Sequence, residues 1–259
     1  MSTPVSGYFK PGNSWLHRRN PFTKLLALLW LVLAAFLLPA PALAGLVVLV
    51  AFAAATAGLL RGVVVSLRVP AILFGSILVV NAFFYPGPHD SLVRLGPLSV
   101  TREGLVFGLT SAGRLVVAFS GSILFLQTTL ADDLLEALVT RGVNHRLAFV
   151  VLSAVQLVPR LQNRAVSIRE AQEARGLRSG GSILKRGRAL LPLVGPILLG
   201  SLIDVRERTF ALEARGFGAR PHRTAYRLVA DPPADRVLRR LILVAALAVV
   251  AAAILRPVG

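Results

Sequence analysis

Apolar residues in this chain gather into long runs separated by short polar breaks, and five runs suit a bilayer crossing: roughly 24–38, 43–60, 70–85, 104–128 and 238–255. A crossing helix needs about 20 apolar residues, fewer where polar flanks snorkel, so each run predicts one membrane helix, with 61–69 a loop between the second and third. Between the fourth and fifth runs the pattern changes. From Val150, apolar positions recur at Ala154, Leu157, Leu161, Ala165 and Ile168, the three-and-four spacing of one face of an amphipathic helix. After a linker RSGGS at 178–182, the stretch ALLPLVGPILLGSLIDVRERTFALEARG is apolar all round before turning amphipathic near Asp204. Pro192 and Pro196 predict a kink or interruption in its first half. Its apolar part, 189–203, is short for a span and carries both prolines, so partial immersion is expected rather than a full crossing. Asp132 and Asp133, ahead of LLEALV, predict a helix start with an N-cap and acidic first turn.

Composition turns these runs into a class. Of 259 residues 55% are hydrophobic and only 16% charged, with a mean hydropathy of +0.70, too apolar for a soluble domain of this length. The expected fold is all-α: a polytopic membrane helix bundle with long amphipathic cytoplasmic helices. Residues 1–129 form an amino-terminal membrane domain of about four spans, 130–237 the helical segment, partly membrane-immersed, and 238–259 the last transmembrane helix. Cleavage of a signal peptide after Ala44 is disfavoured, because GLVVLVAFAAATAGLL follows as another span. With no cysteine, disulfides, thiolate metal sites and cysteine nucleophiles are excluded.

A net charge of +17 raises the question of nucleic acid, but its distribution answers otherwise. Four Lys or Arg lie in residues 1–24, two in 61–69 and nineteen in 130–240, against Arg94, Arg102 and Arg256 on the other side. The positive-inside rule places the amino terminus and 130–237 in the cytoplasm, with 86–103 and the carboxyl terminus outside. Nucleic-acid binding would want aromatics interleaved with the basic patch. Only Phe149, Phe210, Phe217 and Tyr226 occur there, so no nucleic-acid partner is expected.

Within the basic segment, EARGL at 173–177 and EARGF at 213–217 repeat at an offset of forty residues. Each copy reads locally as a helix stop, with Gly176 or Gly216 left-handed and Arg175 or Arg215 facing the negative end of the dipole. That does not explain the repetition. No carboxylate stands three or four residues from either arginine, the distance of a helical partner. Two such guanidinium groups suit acidic grooves on another protein, whose carboxylates the planar fork meets in bidentate fashion. A twofold repeat suggests a partner with two similar subunits.

These residues resemble the membrane-embedded T component of energy-coupling factor transporters. In that family two Ala-Arg-Gly motifs end the cytoplasmic coupling helices, and here they match as Ala174-Arg175-Gly176 and Ala214-Arg215-Gly216. SWLHRRNPFTKLLALLWL is similar to the family's opening, TREGLVFGLTSAGRLVVAFSGSILFLQTT to its fourth-span region, and DDLLEALVTRGVNHRLAFVVLSAVQLVPRL to the approach to its coupling helices. Asn20 stands where the family has an acidic residue, and SAVQLVPR lacks an aromatic residue before its proline. The resemblance implies a non-catalytic scaffold in a prokaryotic plasma membrane. Its partners would be two ABC ATPase subunits and a separate substrate-binding membrane (S) component, serving uptake of a vitamin or a transition-metal ion. ATP would be used by the partners, with no cofactor bound by this chain.

Other chemistries find little support. No Gly-Lys pair exists, so a phosphate-binding loop of the P-loop type is absent. His17, His89, His145 and His222 are scattered without an i, i+4 pair, and no metal site is expected. Arg114 is the one charge well inside a span, a candidate intramembrane polar contact. A self-sufficient permease or secondary carrier is the alternative, but it would place ion-binding polar groups near the midplane. Arg114, Asn81, Thr128 and Thr129 are the main candidates. A membrane enzyme would need a converging acid, base or metal, and none is evident.

Overall fold

The computed structural model describes residues 9–85, 91–95, 98–176, 183–217 and 229–255, with the side chains of 91–95, 98–99 and 183–192 left aside. The expected linker at 178–182, His89, His222, Tyr226 and Arg256 lie outside the described residues. Chain contacts divide the molecule into two compact units, Ser6–Gly142 together with Val229–Gly259, and Val143–Leu228.

The first unit is the apolar bundle. Its helices are α1 (Pro21–Leu37), α2 (Ala40–Thr56), α3 (Leu60–Phe84), α4 (Arg102–Thr128), α5 (Ala131–Val139) and α8 (Pro233–Ile254). Helix α1 starts with Asn20 as N-cap, its side-chain oxygen accepting from the Phe22 amide at 3.0 Å, and Pro21 in the first turn where its missing N–H costs nothing. Thr101 caps α4 in the same way through the Gly104 amide. Among the described residues α3, α4 and α8 are long and apolar enough to cross a membrane, and α1 and α2 are shorter apolar helices. Between α3 and α4 lies an antiparallel hairpin, β1 (Ser91–Leu95) and β2 (Leu98–Thr101), with Val93 opposite Val100. Nothing in the hydropathy pattern announces it.

Helix α4 is the centre, packing on α1, α2 and α3. Its approach to α3 is close because Gly104 and Gly108 lie one turn apart on the same face. A side chain on Gly104 would strike the Asn81 carbonyl oxygen, and one on Gly108 would meet Leu78 and Asn81 at 3.2 Å. Small residues spaced by four let membrane helices approach backbone to backbone. Farther along α4, Gly121 admits Leu31 of α1 and Gly113 admits Leu43 of α2. The buried core is correspondingly fine-grained: Ala34 and Ala35 of α1, Val50 and Ala54 of α2, Val63 of α3 and Val117 of α4. Gly104→Val is therefore expected to force α3 and α4 apart and cost about 3 kcal/mol. A matched thermal-unfolding series in detergent, with Gly45→Val as control, checks this, since nothing lies near a side chain at Gly45.

Two expectations about the bundle are corrected. Residues 61–69 are not a loop: α3 is helical from Leu60 and runs through Pro70. Apolar residues beside Arg61 and Arg68 sustain the helix, and the turn falls instead at Gly58, whose φ of 70° suits glycine. Asp132 and Asp133 do stand in the first turn of α5, but the N-cap is Leu130 and makes no side-chain cap. Their charge thus complements the helix dipole without either residue being the cap.

The second unit is a helix pair, α6 (His145–Ala174) and α7 (Ile183–Ala214). Asn144 caps α6 through the Arg146 amide at 2.9 Å. Helix α6 contains Pro159, and α7 runs unbroken through Pro192 and Pro196 rather than being interrupted there. A proline removes one helical hydrogen bond, and the remaining ladder of a 32-residue helix carries the chain across.

Candidate functional site

Both arginine motifs stand at the helix ends predicted for them. Arg175 is the C-cap of α6 and Gly176 follows with φ 95°; Arg215 follows α7, and Gly216 has φ 71°. At the second copy the Gly216 amide donates to the Glu213 carbonyl at 2.8 Å and the Phe217 amide to the Leu212 carbonyl at 2.9 Å. That pair of bonds is the Schellman arrangement, which satisfies carbonyls the helix leaves open. At the first copy the Gly176 amide donates to the Glu173 carbonyl at 3.0 Å. A positive φ is the reason for glycine at both places. Ala174 and Ala214 end the two helices, and they, both arginines and both glycines are exposed.

Neither the Arg175 nor the Arg215 guanidinium has a side-chain hydrogen bond or ion pair among the described residues. The nearby cations are used differently. Arg169 is bound to Glu173 at 2.8 Å one turn away, and Arg164 of α6 is paired with Asp204 of α7. The Arg164 guanidinium lies over Gly200, where a side chain would collide with it. At one end of the pair Phe149 packs against Phe217 in a tilted arrangement with centroids 4.8 Å apart, beside His145. Contacts that climb in α7 as they descend in α6 make the two helices antiparallel.

Arg164 and Asp204 pair across the two antiparallel helices. Each motif arginine stands eleven residues from that ion pair along its own helix, roughly 16 Å at 1.5 Å per residue, so the two motifs lie at opposite ends of the pair.

Sequence reasoning missed a second polar assembly, inside the bundle unit. Asp235, in the first turn of α8, is fully buried at 0% exposure; it accepts the Asn20 amide at 3.1 Å and Arg19 at 3.3 Å. Asp231 receives both Nη atoms of Arg239 at 2.7 and 2.9 Å and lies 3.5 Å from Arg141. Arg239 also donates to Thr23, and Arg141 stacks on Phe22 at 4.4 Å. The Arg239 hydrogen bonds hold the Asp231 carboxyl below the ordinary carboxylate range, with Arg141 and Arg236 adding to the effect. The stabilisation is present above the usual carboxylate value and disappears only as pH falls through the depressed one. These partners are more than 200 residues apart in places, as with Asn20 and Asp235, so no local spacing reveals them. A signal did exist: in a chain with only twelve acidic residues, two flank the helix start in DPPAD.

Arg114 lies within α4, partly buried, and its Nε has no hydrogen-bond partner among the described residues. Asn81 is used locally, donating to the Ile77 carbonyl, and Thr128 donates to the Leu124 carbonyl. The midplane candidates for a carrier site are not gathered by these bonds into one cluster.

Comparison with known proteins places this geometry. A family model described as CbiQ, cobalt transport protein, matches residues 12–226. The chain is 32% identical over 235 residues to the energy-coupling factor transporter transmembrane protein EcfT of Acidaminococcus fermentans, covering 86% of this chain and 87% of that one. It is 31% identical to the EcfT of Bacillus selenitireducens, covering 95% and 96%. A putative ABC transporter ATP-binding protein of Bifidobacterium longum is 28% identical over 97% of this chain, which spans 34% of that protein.

Proposed function

Because the chain belongs to the CbiQ cobalt transport protein family, with EcfT transmembrane proteins among its relatives, we propose that it is the membrane coupling subunit of an ATP-driven importer. It binds two ABC ATPase subunits through Arg175 and Arg215 and transmits their movement to a separate substrate-binding membrane subunit. The observation that carries this reading is the pair of unpartnered arginines in one repeated motif, presented at opposite ends of an antiparallel helix pair. A partner of two related subunits can take one arginine in each of two equivalent grooves.

The Bifidobacterium relative supports the assignment. There, a region similar to nearly this whole chain occupies a third of a polypeptide named for ATP binding. Two functions joined in one chain in one organism are natural partners as separate chains in another. The apolar surface of α7, with Leu198, Leu199, Leu202 and Ile203 exposed, suits the bilayer or a membrane partner. Arg114, whose Nε lacks a bond, suits a polar contact with that partner. The chain has no phosphate-binding loop, so hydrolysis belongs to the ATPases and this subunit is non-catalytic. Cargo is a vitamin or a transition-metal ion.

Isolation of the tagged chain in mild detergent tests the proposal. Two ABC ATPase subunits and one small membrane protein are expected in the eluate. Recovery of the chain alone from cells expressing its neighbours in the transporter would overturn the reading.

Orientation follows from charge. The end of the bundle carrying Arg19, Lys24, Arg141, Arg236 and Arg239 is the cytoplasmic one, and the β1–β2 hairpin lies outside. Cysteines introduced at Ser91 and Ser179, unique in a cysteine-free chain, should react with an impermeant maleimide from opposite sides. Labelling of both from outside the cell contradicts this topology.

A further inference from the structure

From Ser6 onward the chain leaves the bundle once and returns once. It departs after α5, where the helical unit begins at Val143, and it returns after Leu228, three residues before Asp231. Those are the covalent routes by which movement of the 143–228 unit reaches the membrane helices. Arg141 stands two residues before the departure, and its guanidinium lies 3.5 Å from Asp231. The two crossings are thus joined side to side.

Each half of the joint is anchored. Arg141 Nη1 donates to the Ala137 carbonyl at 2.6 Å, Nη2 approaches Asn20 Oδ1 at 3.5 Å, and the guanidinium covers the Phe22 ring. Asp231 is gripped by Arg239 of α8, which also donates to Thr23 of α1 at 3.0 Å. Asn20 in turn donates its side-chain amide to the Ala230 carbonyl at 3.0 Å. Gly142, with φ 100°, follows Arg141 and provides a bend at the edge of the bundle. On the bundle side of that glycine Arg141 is held by its bond to the Ala137 carbonyl and its ion pair with Asp231, and charge-assisted contacts in partial burial resist being pulled apart.

We propose that Arg141 and Asp231 are positioning residues for the transport step. They form a clasp that makes the two crossings move as one body and carries ATPase-driven displacement into α1 and α8 together. This rests on the coupling function proposed above. Without the clasp, each crossing would flex at its own edge of the bundle, and the displacement would be lost before it reached α1 and α8. The ATPases would still bind and hydrolyse, since neither residue belongs to the Arg175 or Arg215 motifs.

The test uses the full complex in lipid nanodiscs and needs no knowledge of the cargo. Spin labels go on Phe52→Cys of α2 and Leu247→Cys of α8, both exposed, and are attached before assembly. Their distance is measured by pulsed electron resonance without nucleotide and with a non-hydrolysable ATP analogue. In the otherwise unsubstituted chain the analogue should shift the distance distribution. Arg141→Gln should abolish the shift at unchanged ATPase co-purification and hydrolysis, and Arg141→Lys should restore at least half of it. Asp231→Asn, which leaves Arg141 on Ala137, Asn20 and Phe22, should act like Arg141→Gln and covers the case of poor folding by the first variant. A full shift in either neutral variant overturns the clasp, as does a parent complex with no shift or a lysine variant as inert as glutamine. If no ATPase joins the parent chain, the coupling function itself has failed, a result read from the eluate before any distance is measured.

Discussion

Arg175→Glu/Arg215→Glu is expected to release the ATPase subunits from the membrane chain and to abolish uptake while leaving the chain in the membrane at its normal level. The argument is electrostatic. Both guanidinium groups are exposed and unpartnered in the described structure, so replacing them breaks no intramolecular ion pair and disturbs only the helix-dipole interaction, about 0.3 to 1 kcal/mol at each end. A charge-assisted contact is worth about 1.5 to 3 kcal/mol, and removing one partner of a buried interfacial pair costs about 2 to 5 kcal/mol. Reversing the sign adds repulsion against an acidic groove. Each single change should weaken co-purification by tenfold or more, taking about 1.4 kcal/mol per decade, and the double change should eliminate it. Lysine should rescue in part, since it keeps charge but not the planar fork. Thermal unfolding of the bundle should be unaffected by all of these. Unchanged co-purification and uptake in the double variant would reduce both arginines to helix caps.

The second large effect is expected at Asp235, and there the bundle itself should suffer. Asp235→Ala removes the acceptor of the Asn20 amide and the partner of Arg19 from a site with no exposure. Breaking a buried pair costs about 3 to 5 kcal/mol, and Arg19, which is one-third exposed, recovers some hydration and keeps the loss near the lower figure. Asp235→Asn should be milder, because one oxygen can still accept from the Asn20 amide. Thermal melting in detergent distinguishes the two variants. Equal melting temperatures for parent, alanine and asparagine proteins would show that the α1–α8 junction does not depend on this carboxylate.

The hydropathy runs located the membrane helices because burial in lipid demands continuous apolar sequence, and α4 at Arg102–Thr128 begins within two residues of its expected start. They failed at α3, where Pro70 and two arginines looked like a boundary. A proline inside a membrane helix is tolerated when neighbours compensate, so it is weak punctuation there. The β1–β2 hairpin escaped for a different reason: two short strands are overshadowed by the long runs on each side. In the Val143–Leu228 unit the repeated Glu-Ala-Arg-Gly was legible because a left-handed cap requires glycine and a repeat needs no structure to be seen. The Arg164–Asp204 pair escaped because its members are forty residues apart on separate helices, beyond any local spacing. The Asp231 and Asp235 assembly joins the two ends of the chain, and only folding brings those together.

One motif repeated at each end of an antiparallel helix pair would leave the proposed pair of ATPase subunits two ways round, differing by half a turn. For two identical subunits these are one and the same complex, and assembly cannot err. Two different subunits would give two isomers, and the arginines, being repeated, would not tell them apart. Discrimination must then come from whatever the offset fails to reproduce. Glu173 is held by Arg169, whereas the residue matching Arg169 beside Glu213 is Thr209. One end of the helix pair therefore presents a carboxylate already neutralised by its own helix, and the other a carboxylate without that cation. A chain that serves unlike ATPases would carry its handedness in that difference together with Glu170 against Phe210, Gln172 against Leu212 and Leu177 against Phe217.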